Sequence, residues 1–65
     1  MNAPAPAAAE LLRQAVSHHR SGELAAAEAL YRRILTLDPG HVEALHLLGV
    51  VAYQLGHHEA AETLI

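Results

Sequence analysis

A chain of 65 residues with a formal net charge of −3 is one small domain at most, and its four basic residues, all Arg and scattered from Arg13 to Arg33, form no patch for a run of phosphates. Its apolar content of 52% includes neither Phe nor Trp. At ~25 cal/mol per Å² of buried apolar area, a core of Ala, Leu, Val and Ile in so short a chain leaves a thin margin of stability. Without Cys there are no disulfides or thiolate metal sites. No window approaches the ~18 apolar residues of a membrane span. Met1 to Ala9 lacks the positive charge of a secretory signal, so the cytoplasm is the expected location.

The chain opens on Asn2-Ala-Pro-Ala-Pro6. Its two prolines each remove a backbone donor and push the preceding residue toward extended geometry, so residues 1–7 are expected to form a flexible Ala/Pro leader. The alternative places Pro6 in the first turn of the next helix, where its missing N–H costs nothing.

From about Ala7 to Arg20, Leu11, Leu12, Ala15 and Val16 recur at helical steps and predict a first helix, which Ser21-Gly22 ends because Gly reaches the left-handed conformation without a Cβ clash. A second helix is expected from about Leu24 to Thr36, with Ala27, Leu30, Tyr31, Ile34 and Leu35 on one face and the Glu28–Arg32 pair outside. So short a connection makes the two antiparallel neighbours. Asp38-Pro39-Gly40 stops the second helix. A third follows from about Val42 to Leu55, expected to carry Leu45, Leu48, Gly49, Ala52 and Leu55 inward, with Gly56 as its break. A fourth begins near His58 and is cut off at Ile65. Ala61, Leu64 and Ile65 are therefore expected to lack part of their cover, which suggests a fragment, a truncated product or a chain that self-associates.

Shifting the chain 34 residues against itself aligns Gly22 with Gly56, Ala26 with Ala60, Ala27 with Ala61, Glu28 with Glu62 and Leu30 with Leu64. A self-match at this period is the mark of a helical repeat, whose units bury their apolar faces only by stacking. The expected units are residues 8–41 and residues 42–65, the second truncated in its second helix.

The small, aromatic and turn positions resemble those of the tetratricopeptide repeat: Ala15, Gly22, Ala27, Tyr31 and Pro39 in the first unit, and Leu45, Leu48, Gly49, Gly56, Ala61 and Ile65 in the second. His18, Gln14, Ala52 and Ile65 depart from the pattern, His18 taking a packing place usually held by Tyr and Ile65 standing at the aromatic position. The resemblance implies an all-α fold of antiparallel helix-turn-helix repeats in a short right-handed α-solenoid. It also implies that the first helices of successive repeats line a concave groove for an extended peptide or a partner helix. Carried over by position, that groove shows Leu12, Val16, His19 and Arg20, then Glu43, His46, Val50, Tyr53 and Gln54. The partner-binding set is Leu12, Val16, His19, His46, Val50 and Tyr53. The Lys and Asn clamp by which some members grip a C-terminal carboxylate is missing, since Leu12, Val16 and Leu47 stand in its places. An Asn ladder is missing too, with Arg13 and Leu47 at its position.

Six histidines invite a metal reading, but the adjacent pairs His18-His19 and His57-His58, with His41 and His46, do not offer the i,i+3 or i,i+4 spacing that helical ligands need. No metal and no cofactor is expected. Their other open role is a pH response, as protonation moves the formal charge from −3 toward positive. Glu10 with Arg13 and Glu59 with Glu62 read as solvated helix faces, and no phosphate loop, Ser-His-Asp set or nucleophilic Cys is present. Two functional readings remain. The first is a non-catalytic interaction module with a protein or peptide partner, no nucleic acid, no membrane, and self-association through the last helix as an added possibility. The alternative is the leading piece of a larger enzyme, since the runs Tyr31-Arg-Arg-Ile-Leu35 and Ala44-Leu-His-Leu-Leu-Gly-Val50 resemble repeats that precede glycosyltransferase domains of the O-linked N-acetylglucosamine transferase type.

Overall fold

The computed structural model describes residues 4–56, which form three helices: α1 (Pro4–Arg20), α2 (Leu24–Leu37) and α3 (Val42–Gln54). α2 packs against α1 on one side and against α3 on the other. The expected fourth helix and its Ala61, Leu64 and Ile65 lie outside the described residues.

α1 starts at Pro4, so residues 4–7 are helical where a flexible leader was expected. The first four N–H groups of any helix have no intrahelical acceptor, so proline loses nothing there, and the following run of Ala favours continuing the turn. α1 ends in a Schellman closure: the Glu23 N–H donates to the His18 carbonyl at 2.9 Å and the Gly22 N–H to the His19 carbonyl at 3.1 Å. Gly22 takes a φ of 82° to do this, and Gly56 repeats the device after α3 with a φ of 89° and an N–H bonded to the Tyr53 carbonyl at 3.0 Å. Between α2 and α3 the Asp38 carboxylate accepts from the Gly40 N–H at 3.2 Å and the His41 N–H closes on the Asp38 carbonyl at 3.0 Å. His41 then caps α3, its Nδ1 accepting from the Ala44 N–H at 3.1 Å.

The core is Ala15 from α1, Ala27, Tyr31 and Ile34 from α2, and Ala44 and Val51 from α3, each with no exposed surface. Alanine on both sides of the α1–α2 contact lets the backbones approach closely, while Tyr31, Ile34 and Val51 supply the volume. Leu30 and Leu35 pack on this cluster half-buried, as their spacing predicts.

α3 departs from expectation. Its inward face is Ala44, Val51, Leu47, Leu48 and Leu55, whereas Leu45 is 51% exposed and Gly49 is exposed with open space where a Cβ would stand. The physical reason is that α3 has two apolar faces. One lies on α2; the other, with Val42 and Leu45, matches under the 34-residue shift the α1 face that α2 covers. The sequence pattern merges the two into one stripe.

Gly22→Ala tests the closure. No atom lies within 4 Å of the added methyl, so the cost is the left-handed backbone alone, roughly 1 kcal/mol. Thermal unfolding followed by circular dichroism should show a lowered midpoint; an unchanged one would mean that this turn does not limit stability.

Candidate functional site

The residues expected to line a groove form two rows related by the repeat. Leu12, Val16 and His19 recur at steps of four and three on α1, and His46, Val50 and Tyr53 recur identically on α3. Such spacing keeps each row on one helix face. The structure leaves them unequally available. His46 is exposed, Tyr53 is 58% exposed, and Leu12, Val16, His19 and Val50 are half-buried, with Leu12 packed on the core.

His19 has a specific internal engagement. Its Nε2 lies 2.6 Å from Gln54 Oε1 and its Nδ1 lies 3.0 Å from the Tyr31 hydroxyl. The amide oxygen can only accept, so Nε2 carries the proton, and in the neutral ring Nδ1 accepts from the Tyr31 O–H. The rings of His19 and Tyr31 also meet edge to face, with centroids 5.9 Å apart and planes at 71°. One side chain therefore ties α1 to α2 and to α3. Gln54, which the resemblance also assigns to the groove, is taken up in the same link. The reading of the sequence missed this link because no periodicity rule pairs residues twelve or thirty-five apart. The one available signal was Tyr31 itself, since a buried hydroxyl demands a partner.

His18 does not fill the packing place assigned to it. It is half-exposed, and its Nδ1 lies 2.6 Å from Glu23 Oε1, so the carboxylate accepts from an Nδ1–H and draws the start of α2 to the end of α1. Glu10 pairs with Arg13 on an exposed face and accepts from Gln14 at 3.2 Å, and Glu28 accepts from Arg32 at 3.2 Å. Among the described residues no group of three or more His, Asp or Glu stands close enough to hold a metal ion. His57, His58, Glu59 and Glu62 lie outside them. On α1 an open depression of about 440 Å³ is lined by Leu12, Arg13, Val16, Ser17, Arg20 and Ser21.

Three antiparallel helices with matching glycine closures after α1 and α3, a shared small-residue core and side-chain rows that recur under the 34-residue shift define an α-helical repeat protein. The chain belongs to the tetratricopeptide repeat family: the model of that family matches residues 18–65, more than half of its length. Such repeats are in general protein-interaction modules and non-catalytic scaffolds. Neither a curated protein nor a solved structure matches the chain. No described helix is long and apolar enough to cross a membrane.

Tyr31 makes the inter-helix link sensitive to alkali. Burial, with a smaller contribution from the Glu43 charge, raises its pKa above the ordinary 10.0. Above that value the unfolded chain gives up the phenolic proton while the folded chain retains it, so the unfolded state binds fewer protons and stability falls as pH rises. Denaturant midpoints measured from pH 8 to pH 11 should decline above about pH 10, and Tyr31→Phe should flatten that decline. An equal slope in the variant would locate the effect elsewhere.

Proposed function

We propose that this chain is a non-catalytic protein-interaction module in which α1 and α3 present Leu12, Val16, His19, His46, Val50 and Tyr53 to an extended peptide or a partner helix. The observation that carries this reading is Tyr53, an aromatic ring 58% exposed on the same α3 face as His46 and Val50. A ring with a polar tip brings contact area at little entropic cost and is the kind of residue that dominates interfaces. His19 contributes by position more than by contact, since both of its nitrogens are engaged.

Retention of partner proteins by the immobilised chain tests this. Tyr53→Ala should weaken retention of a specific species by roughly tenfold, the loss of an interface anchor. Equal retention by both forms would remove Tyr53, and with it the α3 row, from the interface.

Self-association through the last helix is the second reading; Val42 at 77% and Leu45 at 51% exposure mark, among the described residues, an apolar face of α3 that such a helix, the chain's own or a second copy's, can cover. A second copy covering that stripe should appear as a dimer in sedimentation at high micromolar concentration, and a monomer there counts against it.

A further inference from the structure

α1 and α3 hold equivalent places in the repeat, but one face of α1 has a different chemistry. α3 seats on α2 through Ala44, Leu47, Leu48, Val51 and Leu55, of which Ala44 and Val51 have no exposed surface. The 34-residue shift sets these five on Glu10, Arg13, Gln14, Ser17 and Ser21. All five of the latter are polar, and among the described residues all five are exposed. Steps of three, one, three and four keep them on one side of α1 and its closing turn. The side of α1 that meets α2 keeps the pattern of the repeat, with Ala15 fully buried and Leu11 packed on the core. Only the stacking face has been exchanged.

That face is also satisfied within itself. Arg13 pairs with Glu10, and Glu10 accepts from the Gln14 amide at 3.2 Å. A helix laid over it would take a carboxylate and a guanidinium out of water with no apolar area gained on the α1 side, which is the costly direction of transfer. The same positions on α3 carry the apolar groups that make stacking favourable.

We infer that the outward face of α1 is a closed end: it stops the stack there, and a further helical pair, from this chain or from a second copy, joins at the α3 end alone. A polar outer face on a terminal unit is what keeps a repeat array from extending. For copies of this chain the consequence is one of symmetry. Head-to-tail contact needs a different adhesive face at each end and runs on into filaments, whereas copies with one end closed can meet only by like faces and stop at a pair. The closed end holds whether or not copies associate, and whichever partner the groove rows take.

Sedimentation equilibrium of the full 65-residue chain over a concentration series tests this, with helicity by circular dichroism as the check on folding. Arg13→Leu with Ser17→Val gives α1 two of the side chains by which α3 seats on α2. That variant should reach a weight-average mass about twice the wild type's or more, still rising with concentration, since an end made adhesive has no two-fold mate and does not close. Gln14→Leu with Ser17→Val takes its place should the first pair lower helicity. Arg33→Leu with Thr36→Val, an equal apolar change on the exposed side of α2, should leave the mass where the wild type has it. Ser17→Lys alone should also leave it unchanged. An α1 variant with the wild-type mass overturns the inference, as does equal association by the α2 variant, and so does a wild-type assembly that Ser17→Lys takes apart. A wild type that stays monomeric removes the self-association reading alone, and the α1 and α2 variants still decide the closed end.

Discussion

Tyr31 stands where the three helices converge, fully buried on α2 with its ring against His19 and its hydroxyl in hydrogen-bond contact with it. A phenol in that position imposes a condition on its surroundings: its hydroxyl must be satisfied, and the group that satisfies it must itself be held still. His19 meets the condition from α1 and passes it on, since its other nitrogen is fixed by Gln54 at the end of α3. No buried side-chain polar atom among the described residues is left without a partner. This chain of contacts links α1 to α3 beside the apolar burial that each shares with α2.

Around that joint the remaining constraints concern distance. Ala15, Ala27 and Ala44 set how near the helices come, and the glycines at 22 and 56 end α1 and α3 by the same left-handed turn. Equivalent closures put equivalent residues at equivalent heights, which is why Leu12, Val16 and His19 have counterparts in His46, Val50 and Tyr53. The arrangement of these rows is thus a product of the core. Small residues inside permit the stack, and the stack arranges the rows outside.

Most of this architecture was legible in the sequence because the signals were local. Gly22, Gly56 and Pro39 punctuate the chain by backbone sterics alone, and the spacing of Ala27, Tyr31 and Ile34 identifies the buried face of α2 without reference to any other helix. The misreadings share a cause. Leu45 and Gly49 were assigned inward because α3 carries apolar residues around most of its circumference, and periodicity cannot say which of two apolar faces a neighbour covers. At the start of α1 the sequence leaves two readings open, a leader or a helix with Pro6 in its first turn, because a proline breaks a helix everywhere except there, and the structure has the second. The double engagement of His19 was illegible for a different reason: its partners are set by tertiary geometry.

The separation in sequence between contacting elements also governs how such a chain folds. α1 meets α2 and α2 meets α3, each across a connection of a few residues, so most of the native contacts are made without closing a long loop. Loop-closure entropy is small for such pairings, and chains rich in them fold in microseconds to milliseconds. The His19–Gln54 bond spans 35 residues and is an exception to this locality. It joins the ends of two helices that each pack against α2 through shorter connections, so loop-closure entropy favours its forming after them. An interaction made that late acts chiefly on how fast the assembled stack opens.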